Sequence, residues 1–145
     1  MHIRQVLAAK AGRPVVTVAP DAAVRDLVAL LAEHNVGALV VSRDGHSLEG
    51  IVSERDVVRR LHEDNAVLDA AVSSIMTSAV ETCGPETTVD DLMKTMTEHR
   101  VRHVPVIVDG DVRGIISIGD VVKHRIDQLE FERDQLDSYV HGTKG

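Results

Sequence analysis

The sequence predicts an α/β (α+β) fold: two β-α-β-β-α units packed about a pseudo-twofold axis, with a helical extension after them. Three observations carry that expectation. The chain repeats itself, each copy places a helix-type apolar period at the same point, and each copy then carries an Asp-Gly turn signal. Residues 15–45 align without a gap on residues 80–110, so that Pro20/Pro85, Val24/Val89, Leu27/Leu92, Glu33/Glu98, His34/His99, Val36/Val101 and Asp44-Gly45/Asp109-Gly110 coincide. After a one-residue gap, residues 50–60 (GIVSERDVVRR) fall on residues 114–124 (GIISIGDVVKH). Matches in that order across two segments mark a duplicated unit.

Taken in order, each copy opens on a short extended run, residues 15–18 and 80–82, ended by a proline. Asp21 and Glu86 put an acid near the start of the next helix, where it complements the dipole. Val24, Leu27, Val28 and Leu31 recur with the period of one buried helix face, as do Val89, Leu92, Met93 and Met96. His34 and His99 fall near the ends of these helices. Apolar runs at 38–41 and 104–108 read as strands, and the following Asp-Gly dipeptides as hairpin turns. The return strands are expected at 49–52 and 112–116, with a second helix after Ser53 and after Ser117. One unit is too small to bury a sufficient core, so two must pack together. Residues 64–77 form the connector, with a short helical turn within 72–77. The expected division is residues 1–70 for the first unit with its N-terminal segment, 71–126 for the second and 127–145 for the tail. That tail carries Ile126, Leu129, Leu136, Tyr139 and Val140 among charges, a helix expected to dock on the body or on a partner subunit.

Composition narrows the function. The chain has 145 residues, 43% of them hydrophobic, with one Tyr, one Phe and no Trp, so the core must be aliphatic. A net charge of -7 argues against charge-driven binding to nucleic acid or an anionic membrane. Cys83 is the single cysteine and forms no internal disulfide, which suits a reducing compartment. No run reaches the roughly 20 apolar residues of a membrane span, and none near the N-terminus suits a signal peptide. A cytoplasmic, soluble protein is expected.

The glycine-led runs 50–56 (GIVSERD) and 114–120 (GIISIGD), Ile75-Met76-Thr77 in the connector, and Arg102-His103-Val104-Pro105-Val106 together resemble the cystathionine β-synthase (CBS) domain. The resemblance covers residues 1 to about 126. It implies a pair of units forming a Bateman module, commonly dimerised into a flat disc, whose clefts take adenosine-containing ligands. AMP, ADP and ATP lead, with NAD(H) and S-adenosylmethionine behind.

Ser53-x-x-Asp56 and Ser117-x-x-Asp120 alone read as helix capping boxes. A helix start also offers free N–H groups and a positive dipole end to a phosphate, and a carboxylate can accept from both ribose hydroxyls. The resemblance places ribose on Asp56 and Asp120, with Ser53 and Ser117 beside it. With Phe131 and Tyr139 both in the tail, adenine must sit between aliphatic side chains. The resemblance points to Val16 and Val18 with Ala38, Leu39 and Val40 in one cleft, and to Val80 and Thr82 with His103, Val104 and Pro105 in the other. Arg55, Arg102, His103, Arg4, Lys10 and Arg13 are candidate phosphate partners, each as readily a solvated surface charge. Arg55 aligns with Gly119, and Gly37-Ala38 with Arg102-His103, so the two sites should be inequivalent. The Ser117/Asp120 cleft, with Arg102 and His103 in its own unit, is expected to be the stronger.

Other chemistry finds little support. His99 and His103 have metal-type spacing, but the helix should end between them, and no Cys-x-x-Cys exists. Cys83 beside Gly84-Pro85 reads as a small turn residue before a nucleophile. There is no Walker loop and no G-x-G-x-x-G fingerprint. The resemblance thus implies a regulatory nucleotide-binding module acting in trans on an unspecified partner, not an enzyme. An assembly protein with vestigial clefts is the alternative, and a hydrolase using Asp56 or Asp120 lacks a base-plus-metal set.

Overall fold

A computed structural model describes residues 1–10 and 15–142. Its elements run α1 (Ile3–Ala9), β1 (Thr17–Val18), α2 (Val24–His34), β2 (Ala38–Val41), β3 (Gly50–Ser53), α3 (Glu54–Glu63), α4 (Val89–His99), β4 (His103–Val108), β5 (Asp111–Ser117) and α5 (Ile118–Gly142). Two 3-10 turns, Asn65–Asp69 and Val72–Ser74, fill the connector. The duplicated α+β architecture is as expected.

Both first helices bury the apolar period that predicted them. Val24, Leu27 and Leu31 are buried in α2, and Val89, Leu92 and Met96 in α4. Each stops at a residue in the left-handed region, Asn35 (φ 51°) and Arg100 (φ 54°), directly after His34 and His99. Asp21 and Glu86 stand before the helices and outside their first turns. Asp26 and Asp90–Asp91 take the dipole positions instead, and Thr88 Oγ1 accepts from the Asp91 N–H at 3.1 Å.

β1 pairs parallel to β2, and β2 antiparallel to β3. In the second unit β4 and β5 form an antiparallel pair, with Cys83 bridging Val106 where a first strand would lie. The run at 80–82 is therefore no strand. Only one Asp-Gly makes the tight hairpin: Asp109 (φ 52°) and Gly110 (φ 82°) are both left-handed, as a two-residue turn of this kind requires. Asp44 sits in a longer loop, where its carboxylate accepts from the N–H groups of His46 and Ser47 and holds the chain in an Asx-type turn.

Packing does not follow the chain order. Ile3 and Val6 of α1 lie in the second unit's core with Val89, Leu92, Val104 and Ile116. Val72 and Ile75 of the connector lie in the first unit's core with Val24, Leu27, Leu39 and Val52. Main-chain bonds repeat the exchange: Ile3 N–H donates to Thr87 O (2.8 Å), and Val72 N–H to Ala22 O (2.8 Å). The N-terminal segment, grouped by sequence with the first unit, thus completes the core of the second. The tail is no separate element either, because α5 runs unbroken from Ile118 to Gly142. Among the described residues no helix is long and apolar enough to cross a membrane.

Candidate functional site

Strand β5 ends at Ser117, and α5 begins on the next residue. Ser117 Oγ accepts from the Asp120 N–H at 3.1 Å, while Asp120 Oδ2 accepts from the Ser117 N–H at 2.9 Å. The first unit builds the same box: Asp56 N–H donates to Ser53 Oγ (3.2 Å) and Ser53 N–H to Asp56 Oδ2 (2.9 Å). Both carboxylates are thereby fixed at a helix start.

The units diverge at the strand beside the box. In the first, Thr77 closes it with main chain: Ile51 N–H donates to Thr77 O and Thr77 N–H to Ile51 O, both at 2.9 Å. In the second, the equivalent carbonyl of Ile115 accepts from the Lys10 ammonium at 2.8 Å, and the same ammonium reaches Asp120 Oδ2 at 2.8 Å. Beside this contact lies a cavity of about 440 Å³. The N-terminal segment supplies Leu7 and Lys10, the first unit Val15, Val16 and residues 35–39, and the second unit His103, Arg113, Ile115, Ser117 and Asp120.

Charge in the cavity is set by these neighbours. Burial pushes the Asp120 carboxyl upward, but the Lys10 ammonium and the Ser117 N–H outweigh it and hold it below the usual carboxylate range. Both of these donors fall on Oδ2, and among the described residues none reaches Oδ1. Burial pushes His103 down, against the pull of Glu54 and Asp120, while Lys10 and Arg102 add to the fall. Its imidazole is therefore neutral at neutral pH. Gly37 makes room for it, since a Cβ there would lie 3.3 Å from His103 Nε2.

Of the residues singled out by sequence, Lys10, Val16, Ala38, Leu39, His103, Ser117 and Asp120 come together in this cavity. The pairing of walls differs from the expectation. Val16 and Ala38 line the Ser117/Asp120 cleft, because this cleft lies between the units. Val18 is buried in the first core, and Pro105 is buried in β4, where its carbonyl accepts from the Cys83 N–H. Thr82 and Arg55 are exposed and, like Ser53 and Asp56, do not line the cavity. Arg102 lies outside it, on a shallow depression at the root of α5. Arg4 is exposed and pairs with Glu86 at 2.9 Å. Arg13 falls outside the described residues.

Leu7, Val15, residues 35–37, Arg113 and Ile115 also line the site without having been singled out. A signal for Leu7 was present: Ile3-x-x-Val6-Leu7 repeats the spacing of Val72-x-x-Ile75-Met76. Burial pushes the Cys83 thiol up to about 11, as suits a packed turn residue. Among the described residues no group of three His, Cys, Asp or Glu side chains could hold a metal ion.

Comparison with known proteins agrees with the architecture. The family model for the CBS domain matches residues 4–63 and again 72–127. A mitochondrial CBS domain-containing protein of Arabidopsis thaliana is 39% identical over 127 residues, which are 84% of this chain and 62% of that protein. A CBS-domain containing protein from Agrobacterium tumefaciens superposes with a TM-score of 0.81 at 43% identity, covering 86% of this chain and 99% of that one. A CBS domain protein from Pyrobaculum aerophilum, solved in complex with AMP, superposes with a TM-score of 0.77 at 28% identity over 92% of this chain and 99% of its own. Two family matches on two repeats, with these structural neighbours, establish that the chain belongs to the CBS domain family and carries the domain as a tandem pair.

Proposed function

We propose that the chain is a regulatory module that binds an adenine nucleotide between its two units, in the cleft of Ser117 and Asp120. The observation that carries this reading is the cavity of about 440 Å³, apolar along one side and charged at one end. Its volume lies within the roughly 300–1,000 Å³ of small-molecule sites. Val16, Val36, Ala38 and Ile115 suit the faces of a purine. Asp120 Oδ1, which no described donor reaches, suits the acceptor of a ribose diol. Lys10 neutralises that carboxylate, and with Arg113 it supplies positive charge for a phosphate. The Pyrobaculum aerophilum neighbour, solved with AMP, supports the ligand class. The ligand touches both units and the N-terminal segment, so it favours the arrangement in which all three are closed on it. Such a module acts on a partner in trans and works as a pair of copies.

A thermal-shift series with AMP, ADP, ATP, NAD and S-adenosylmethionine tests this on wild type, Asp120→Ala and Asp56→Ala. At about a hundred times its dissociation constant a ligand should add roughly 2.7 kcal/mol of stability. The shift should vanish in Asp120→Ala and persist in Asp56→Ala, each compared with its own ligand-free baseline because both lose a capping box. No shift from any ligand would favour the assembly role, and equal loss in both variants would mean two equivalent sites.

A further inference from the structure

His103 opens β4, and its ring lies on the cavity wall where the two units meet. Its Nε2 is 3.3 Å from the point that a Cβ on Gly37 would take, and Glu54 Oε1 is 3.6 Å from that same point. The first unit thus brings a carboxylate close to the imidazole. Among the described residues neither ring nitrogen has a hydrogen-bond partner, and neither is sealed from the cavity. Burial is the strongest influence on the ring and favours its neutral form. Glu54 at the start of α3 and Asp120 at the start of α5 favour the imidazolium, while Lys10 after α1 and Arg102 before β4 oppose it. Arg113 of β5 lines the same cavity, and residues 35–37 bring no ionisable side chain to it. Two carboxylates stand against two cations, which leaves burial to decide. A balance of this kind is tipped by one further charge.

We propose that this cavity is a joint sensor of nucleotide and protons, in which a nucleotide phosphate entering the cleft recruits a proton onto His103. This deepens the proposed function and rests on its nucleotide reading. A phosphate monoester brings close to two negative charges at neutral pH. Placed in a half-buried cavity, that charge favours the imidazolium over the neutral ring. The proton comes from bulk water and goes to a free ring nitrogen, and no other bond changes. By linkage the effect is reciprocal, so a protonated His103 holds the phosphate more tightly. An imidazole is the side chain whose charge can change in this way near neutral pH. Ala38 takes the equivalent place in the first unit, so the coupling belongs to one cleft. The module then responds most strongly when nucleotide is present and pH falls together.

NMR titration of the imidazole signals of the full chain, free, saturated with AMP and saturated with adenosine, reads the proton directly. Of the eight histidines, the signal absent from His103→Gln is that of His103. If that variant does not fold, Gly37→Ala identifies the same signal by displacing it, because the added Cβ crowds the ring. With AMP the titration midpoint of His103 should rise by about one pH unit, which makes AMP about tenfold tighter on the imidazolium than on the neutral ring. With adenosine, which brings no charge, the midpoint should stay. A midpoint that AMP leaves in place or lowers would overturn the proposal, and so would an equal rise with adenosine. Thermal stabilisation by AMP with His103 unmoved defeats the proton coupling alone. No stabilisation by AMP at any pH defeats the AMP reading and the coupling with it.

Discussion

The two units carry the same box of serine and aspartate at the same helix start, yet only the second opens onto the cavity. What differs is the cover. Thr77 closes the first unit's strand with two main-chain hydrogen bonds, whereas among the described residues the second unit's Ile115 carbonyl is met by the Lys10 side chain. A main-chain bridge fills space and uses up the polar edge. An ammonium leaves room and brings a charge to Asp120. Duplication thus supplied two equal carboxylates, and the segments preceding each repeat made them unequal.

The sharpest way to break that comparison is to remove the cover of the second unit at its anchor. Ile3 is fully buried among second-unit side chains although it precedes the first unit in sequence. Ile3→Ala should cost about 2–5 kcal/mol, the range of large-to-small changes in a core, and should also abolish the nucleotide shift by releasing Lys10. Urea denaturation and the thermal-shift series measure both. A cost below about 1 kcal/mol would mean that α1 only rests on the second unit.

That exchange also marks the limit of what the sequence makes legible. Repeats, helix faces and the capping boxes are local patterns, and Val24/Val89 through Ser53/Ser117 placed them correctly. Ile3-x-x-Val6 and Val72-x-x-Ile75 have the same spacing, and nothing local says which core each enters. Val16 and Asp120 line one cavity although they belong to different units, a proximity that no local pattern announces. The Asp-Gly signal held where two residues close the turn at 109–110. It failed at 44–45, where Ser42, Asp44 and Ser47 build a longer loop on side-chain bonds.

A smaller effect sharpens the contrast between the two covers. A Cβ at Gly50 would meet Met76 Sδ at 2.7 Å and Thr77 O at 2.8 Å, whereas at Gly114 it would meet, among the described residues, Leu7 Cδ2 at 2.6 Å. Main chain cannot give way as a side-chain tip can. Gly50→Ala should therefore destabilise by about 1–3 kcal/mol and Gly114→Ala by less than about 1 kcal/mol. In Gly114→Ala the displaced Leu7 tip should intrude on the cavity, so nucleotide affinity falls although stability does not. Equal costs at the two glycines would remove the distinction between a main-chain cover and a side-chain one.

The smallest effect concerns His103, which has Ala38 as its repeat equivalent and lies between the units. Lys10, Arg102, Glu54 and Asp120 face it, and burial still dominates, holding its pKa below the ordinary value of 6.5. A group whose pKa is lowered on folding adds stability that is complete above its unfolded value and is lost as pH falls through the folded one. The thermal midpoint should therefore start to decline as pH drops below about 6.5, before carboxylates begin to protonate. His103→Gln, which keeps polarity and cannot take up the charge, should flatten that part of the profile. Asp120, also held low, contributes in the same direction but only at more acid pH, so the two are separable along one titration. If the profile of His103→Gln declines like that of wild type, the interface between the units is wet enough to solvate an imidazolium. The cavity would then owe its charge to Lys10 and Asp120 alone.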